Sequence, residues 1–246
     1  MCEDHVRLVS LLEGINARGP VWVCRADTVR PRQRTQWSCG HVNLGELLFL
    51  CGADSGSVRP GVEEVQARVD EAHRDGFDPE GYAELGLVAG TRKWVGTSEA
   101  AAVLRHAGVA ARLGAFRAGV NCVTPAEALL GALRAHFASF FSGPSTTTTT
   151  LERVWQTGAP PAMLNWQGHS VLIAAVGAED DLVVVYDPLD ATSPPACAAA
   201  SAVVPGEGRA DIELCCADPR VPLQGNARRL AADLAHPGLA LLTETR

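Results

Sequence analysis

The sequence predicts an α+β domain in which a helix that begins at a cysteine packs against a central antiparallel sheet. Three observations support this class. Helical periodicity dominates residues 1–141, apolar runs of strand length dominate residues 162–187, and Cys39 lies between turn residues and an apolar helical run. A length of 246 residues is enough for one large core, so we expect residues 1–246 to form a single domain.

The first part of the chain alternates helices with two short strands. Predicted helices cover residues 6–15, the run that begins near Cys39, and residues 62–72, 99–106 and 125–141. Predicted strands cover residues 20–24 and 109–116. Glycine and proline predict a turn at residues 77–81. The five threonines of residues 146–150 predict a flexible surface loop at about residues 142–150.

Strands follow in the second part of the chain. We predict strands at residues 162–165, 170–176 and 182–187, with an acidic turn at residues 177–181 between the last two. Runs joined by a short turn pair antiparallel, so His169 at the start of one should lie near Asp187 at the end of the other. A loop at about residues 192–208, a helix at 226–235 and a strand at 239–243 complete the prediction.

Cys39 is the first candidate for chemistry. Leu44, Leu47, Leu48 and Cys51 recur at the spacing of an amphipathic helix, which places Cys39 in the first helical turn. There the free backbone N–H groups and the helix dipole favour the thiolate and lower the pKa of the thiol. The alternative is a buried structural cysteine.

Composition excludes several classes of partner. The net charge is −7, and four arginines at positions 25, 30, 32 and 34 lie scattered in a turn-rich segment that we interpret as solvated loop, so no nucleic-acid partner is expected. No apolar run is long enough to span a membrane, and no secretory leader pattern begins the sequence. We predict an intracellular, monomeric protein whose eight cysteines are reduced thiols.

The sequence predicts no metal and no cofactor. Cys215 and Cys216 are adjacent, which suits a shared tetrahedral zinc poorly, and there is no C-x-x-C pair. Phosphate-binding loops of the Walker or G-x-G-x-x-G type are also missing from the sequence.

A cysteine nucleophile needs a base within hydrogen-bond reach and a third group that orients the base. Cys39, His169 and Asp187 fill these three roles. His41 is a rival base, although a position two residues from Cys39 suits it poorly for pointing at the sulfur. The Cys39 backbone N–H and a side chain, Gln33 or Gln36, are candidates for the oxyanion hole.

Five ordered motifs carry a resemblance to a known family. They are Trp37-Ser38-Cys39-Gly40-His41-Val42-Asn43, Gly76-Phe77-Asp78-Pro79-Glu80-Gly81, Gly90-Thr91-Arg92-Lys93-Trp94-Val95-Gly96 with Glu99, Gln167-Gly168-His169-Ser170, and Tyr186-Asp187-Pro188. They resemble those of the papain-like cysteine peptidases specific for the ubiquitin-fold modifier, and most of all their ubiquitin-directed, ZUFSP-type branch. Within the first motif, Ser38, His41 and Val42 stand where the family has glycine, tyrosine and arginine.

The resemblance implies a papain-like cysteine peptidase fold and a deubiquitinase that hydrolyses isopeptide bonds after the Gly-Gly tail of ubiquitin, with a preference for lysine-63-linked polyubiquitin. In the branch that acts on the ubiquitin-fold modifier, whose tail ends Val-Gly, the histidine follows Asp-Pro. Here Leu189 has that position, so the ubiquitin-directed branch fits better. The alternatives are a peptidase for the ubiquitin-fold modifier, a silent ubiquitin-binding module, and acyl transfer onto an amine.

Overall fold

A computed structural model of the chain describes residues 3–13, 19–53, 58–116, 124–141, 154–166, 168–189, 195–203 and 212–222. Its helices are α1 Glu3–Glu13, α2 Cys39–Leu50, α3 Val62–Arg74, α4 Pro79–Leu85, α5 Thr97–His106, α6 Pro125–Ser139 and α7 Ala200–Val203. Its strands are β1 Val21–Val23, β2 Val109–Phe116, β3 Val154–Gln156, β4 Ala162–Trp166, β5 His169–Gly177, β6 Leu182–Tyr186, β7 Ala196–Ala199 and β8 Ile212–Pro222. The predicted α+β class is confirmed.

One sheet contains all eight strands of the described residues. Its main path runs β2-β8-β4-β5-β1-β3, while β6 pairs with β5 and β7 pairs with β6. Every pair is antiparallel except β1 with β3. The long strand β5 is the centre of the sheet, because it pairs with β4, β6 and β1. The predicted antiparallel pairing of β5 with β6 is confirmed.

Helix α2 is the core helix. We expected an amphipathic helix here, and that expectation was wrong, because ten of its twelve residues are buried, including the polar His41, Asn43 and Glu46. It packs against β5 on one side and against α3 and α5 on the others. Because α2 is buried on nearly all faces, the packing around it holds its first residue, Cys39, in one position. In the described part of the chain no helix has the length and apolarity to cross a membrane.

Several element predictions need correction. The turn predicted at residues 77–81 is the start of α4, because Asp78 accepts the Gly81 N–H and caps a helix with proline in its first turn. The loop predicted at 192–208 contains β7 and α7. Strands β3 and β8 were not predicted. The loop at residues 142–150, the helix at 226–235 and the strand at 239–243 lie outside the described residues.

Candidate active site

Cys39 is the first residue of α2, as predicted, and a close backbone contact fixes the start of this helix. Gly40 packs so tightly that a Cβ there would collide with the carbonyl oxygen of Val95. Only glycine fits this contact, which brings the segment around Val95 directly beside the sulfur-bearing residue. The thiol side chain is 1 % exposed and lies close to the Gly168 carbonyl oxygen, with Sγ 4.0 Å from it.

Two side chains of α3 hold the loop of residues 86–96 that contains Val95. Gln66 donates to the Thr91 carbonyl oxygen at 2.9 Å. Asp70 accepts the Val88 backbone N–H at 2.6 Å. Both side chains are almost fully buried, so they fasten the loop from inside the domain. The loop is therefore a fixed wall of the cleft that contains Cys39.

His169 and Asp187 meet on adjacent strands of the sheet. The β5–β6 register pairs Leu172 with Tyr186, which brings the first residue of β5 close to the residue after β6. The His169 Nε2 lies 3.1 Å from the Asp187 Oδ2. The predicted contact between these two side chains is present. Since Nε2 faces the carboxylate, Nδ1 is the ring nitrogen left to face the sulfur.

The pKa of Cys39 is lowered even though the thiol is buried. Burial by itself disfavours the thiolate, but the hydrogen bond with His169, the backbone N–H groups of Ser170 and Gly40, and the charge of His169 outweigh it. The Gly40 N–H belongs to the first turn of α2, where backbone donors have no partner within the helix. Position at the helix start therefore contributes directly to the acidity of the thiol, as predicted.

The pKa values of His169 and Asp187 are shifted so that both charged forms are favoured. Hydrogen bonds with Asp187 and then with Cys39 raise the pKa of His169 to about 9, against the effect of burial. For Asp187, burial is outweighed by the hydrogen bonds from His169 and the Leu189 N–H and by the charges of His169 and Arg30, so its pKa is lowered. The arrangement favours the charged forms of all three groups, a thiolate, an imidazolium and a carboxylate in sequence.

Arg30 was interpreted as part of a solvated loop, and for this arginine the interpretation was wrong. The residue is 5 % exposed, and its Nε and one terminal nitrogen donate to the Asp187 carbonyl oxygen at 3.2 and 3.1 Å. The guanidinium therefore fixes the backbone of the residue that contacts His169. The partner is 157 residues away in the sequence, so no local pattern could show it.

His41 does not compete with His169 for the sulfur. Its ring is fully buried and stands edge-on to Trp37, with the two ring centroids 5.2 Å apart. Neither ring nitrogen has a hydrogen-bond partner among the described residues. Burial lowers the pKa of His41 to about 4, so the ring stays neutral. This environment suits a packing residue and not a base.

The two oxyanion candidates differ in placement. Gln36 is exposed, whereas Gln33 is partly buried and its backbone N–H donates to the Pro188 carbonyl oxygen at 3.1 Å. Pro188 directly follows Asp187, so Gln33 lies on the side of the site that contains the His169–Asp187 pair. This contact favours Gln33 over Gln36 as the side chain of the oxyanion hole.

An exposed tryptophan borders the site. Gly168 has φ +78°, and a Cβ there would approach the Trp94 ring to 3.0 Å, so the indole lies directly over this glycine. Trp94 is 47 % exposed. A flat aromatic wall thus stands beside the peptide that precedes His169, a feature that the motif alone did not reveal.

A cavity of about 870 Å³ lies next to the site without containing it. Its lining includes Thr35, Trp37 and Ser38, from the segment before α2, together with Pro60 and Arg92. Cys39, His169 and Asp187 are not among its lining residues. The geometry of the three side chains, and not cavity size, marks the candidate site.

Among the described residues, His73, Asp78 and Glu99 are the group whose ligand atoms could hold a metal ion. None of them belongs to the Cys39, His169 and Asp187 group. A thiolate beside an imidazole, as in that group, can act by nucleophilic attack with proton transfer by the imidazole.

Comparison with known proteins gives consistent results. The family model described as Peptidase family C78 matches residues 28–203, well over half of the chain. Zinc finger-containing ubiquitin peptidase 1 of Bos taurus is 26 % identical over 163 residues, which is 62 % of this chain and 27 % of that protein. The Homo sapiens protein of the same name is 26 % identical over 148 residues, 57 % of this chain and 24 % of that protein.

The chain spans about a quarter of the length of these curated relatives. A crystal structure of UfSP from C. elegans shares the fold, with a TM-score of 0.56 at 16 % identity over 89 % of this chain and 37 % of that one. The similarity to that structure confirms the predicted papain-like architecture.

Proposed function

The chain belongs to peptidase family C78, and we propose that it is a cysteine-type deubiquitinase that hydrolyses isopeptide bonds after the C-terminal Gly-Gly of ubiquitin. Its nucleophile is Cys39, its general base and acid is His169, and Asp187 orients the histidine. The contact of His169 with Asp187, at 3.1 Å across two strands, carries the proposal together with the lowered pKa of Cys39. A catalytically silent binding module has no use for this polarised arrangement.

The reaction proceeds in two steps. The Cys39 thiolate attacks the carbonyl carbon of the last tail glycine, and the developing oxyanion is bound by the Cys39 N–H and Gln33. His169 then gives its proton to the departing lysine amine, which leaves a thioester. In the second step His169 takes a proton from water and becomes imidazolium, and the hydroxide attacks the thioester carbonyl carbon. The C–S bond then breaks, which releases the ubiquitin tail as a carboxylic acid that loses its proton to solvent and leaves the Cys39 thiolate beside the imidazolium.

The position of the general base supports ubiquitin, and not the ubiquitin-fold modifier, as the substrate. Leu189 stands where the branch that acts on the ubiquitin-fold modifier has its histidine; its side chain is largely exposed, and only its backbone N–H contacts Asp187, at 2.8 Å. His169 reaches the same carboxylate from β5. This is the placement that the ubiquitin-directed branch uses.

The depth of the thiol supports a tail without side chains. Cys39 is 1 % exposed, and the loop of Val95 and the peptide of Gly168 beneath Trp94 lie close to it. A peptide reaches such a sulfur only if its last residues are narrow, and two consecutive glycines meet that requirement. Inside the cell, the compartment we propose, ubiquitin conjugates offer such a tail.

The test compares two fluorogenic conjugates under the same conditions, one of ubiquitin and one of the ubiquitin-fold modifier. We expect release from ubiquitin and little from the other, with Cys39→Ala inactive on both. Preference for the ubiquitin-fold modifier would refute the branch assignment, and activity on neither would favour the silent module. The lysine-63 preference is tested separately, on a panel of di-ubiquitins of defined linkage.

A further inference from the structure

A second cluster of chemically active side chains lies on the helical side of the domain. His73 is in the last turn of α3, Asp78 caps α4, and Glu99 is in the first turn of α5. One ligand atom from each of the three lies within 4.8 Å of the others. Three separate helices thus direct an imidazole and two carboxylates at one point.

Among the described residues, His73 and Asp78 have buried side-chain atoms without a hydrogen-bond partner. His73 is 3 % exposed, and neither of its ring nitrogens has a hydrogen-bond partner among the described residues. The Asp78 Oδ2 is likewise buried and unpartnered, while its Oδ1 accepts the Gly81 N–H at 2.9 Å. A buried imidazole and a buried carboxylate oxygen without partners cost stability, unless something else satisfies them.

Charge in the cluster is also unbalanced. Within the described residues, neither Asp78 nor Glu99 forms an ion pair with an arginine or a lysine. Two carboxylates close to one another with only a histidine nearby repel each other when both are ionised. A small cation bound between them would neutralise this repulsion. It would also give the unpartnered atoms a partner.

We propose that His73, Asp78 and Glu99 bind one divalent transition-metal ion, with zinc as the best-fitting probe. One imidazole nitrogen and two carboxylate oxygens are a usual ligand set for zinc, with water completing the tetrahedron. Zinc lies about 2.0–2.2 Å from such ligands. Ligand atoms that already lie within 4.8 Å of one another reach that geometry by small side-chain adjustments.

The ion has a structural role beside the thiol. The Oε2 of Glu99 accepts the Gly96 N–H at 2.7 Å, and Gly96 follows Val95, whose carbonyl oxygen packs on Gly40. An ion on Glu99 would tie α3, α4 and α5 together just behind this contact. It takes no part in the thiol chemistry, so the absence of a sequence motif for a catalytic metal agrees with it.

Calorimetric titration of the full chain with zinc chloride tests the site, in a Cys39→Ala background so that the catalytic thiol cannot bind the metal. We expect one ion per chain. Asp78→Asn and Glu99→Gln keep the oxygens that accept the Gly81 and Gly96 N–H groups but remove the charge. Each should lower the affinity by at least about tenfold.

The matched control is Glu80→Gln, an exposed carboxylate on the same short helix as the Asp78 cap. It should bind zinc as tightly as its parent. Cobalt in place of zinc should give the absorption of nitrogen and oxygen ligands without a thiolate-to-cobalt charge-transfer band. Unchanged affinity in both amide variants, or a thiolate band, would overturn the assignment, as would the absence of any binding.

Discussion

Two cysteines of this molecule are equally buried, but their thiol pKa values shift in opposite directions. Cys39 at the start of α2 is 1 % exposed and Cys215 in β8 is 0 % exposed. Burial raises the pKa of Cys215 to about 12, whereas the pKa of Cys39 is lowered. Depth therefore does not decide the reactivity of these thiols.

The two thiols differ in the hydrogen-bond donors available to stabilise a thiolate. Cys39 receives the N–H groups of Gly40 and Ser170 and the imidazole of His169. In β8 the backbone groups around Cys215 pair with β2 on one side and β4 on the other, so little is left to stabilise a thiolate. A helix start beside a strand end supplies free donors that the middle of a sheet does not.

Removal of each sulfur in turn should have opposite consequences for activity. Cys39→Ala should abolish hydrolysis of a ubiquitin conjugate, because no other group can form the thioester. Cys215→Ala, the matched control, should retain kcat/KM near the wild-type value with a slightly lower Tm. Retained turnover in Cys39→Ala, with an unchanged circular dichroism spectrum, would move the nucleophile elsewhere.

Substitution of His169 tests the imidazole that Cys39 has beside it and Cys215 does not. His169→Ala should lower kcat/KM by roughly 10²–10⁴-fold, the usual contribution of a positioned general base. Asp187→Ala should lower it less, since the imidazole remains. Steady-state kinetics on the ubiquitin conjugate give both values. A near-normal rate in His169→Ala would reopen the question of the base, with His41 the other candidate.

The dependence of activity on pH should have an acid and an alkaline limb. The thiolate–imidazolium pair exists above the lowered pKa of Cys39 and below the pKa of His169, about 9. Activity should therefore fall at acid pH, as the thiolate is protonated, and again above about pH 9, as the imidazolium loses its proton. Asp187 is the largest cause of the raised value, so Asp187→Asn should move the alkaline limb to lower pH. A limb that does not move would contradict the assigned role of Asp187.

Arg30 gives the smallest expected effect. Arg30→Gln removes the two hydrogen bonds to the Asp187 carbonyl oxygen and should destabilise the fold by about 1.5–3 kcal/mol, the range for hydrogen bonds to a charged group. We expect a smaller loss of kcat/KM than for His169→Ala. Arg34→Gln, in the same segment but exposed, is the control and should change neither quantity. Thermal unfolding and kinetics on both variants decide the matter.

The sequence predicted what local pairing determines. His169 and Asp187 are 18 residues apart on a hairpin, so two apolar runs joined by a short turn were enough to place them together. Strand β8 escaped prediction because its partners are β2 and β4, both far away in the chain, and because Pro219 and Pro222 interrupt its pattern. Arg30 escaped for the same reason, since its partner is 157 residues away.

Helix α2 illustrates a different limit. Its apolar spacing correctly predicted a helix that begins at Cys39, but could not tell a helix with one buried face from one that is buried nearly all round. Burial of His41, Asn43 and Glu46 depends on what packs against each face. Only the tertiary structure shows which elements pack against each face of α2.

Ubiquitin with an electrophile in place of its C-terminal carboxylate tests whether Cys39 is the nucleophile of a ubiquitin-directed peptidase. The wild-type chain is incubated with this probe, digested and examined by mass spectrometry. We predict a single adduct on the peptide that contains Cys39, with no adduct in Cys39→Ala and none on Cys215. An adduct on another cysteine, or reaction only with the corresponding probe of the ubiquitin-fold modifier, would contradict the claim.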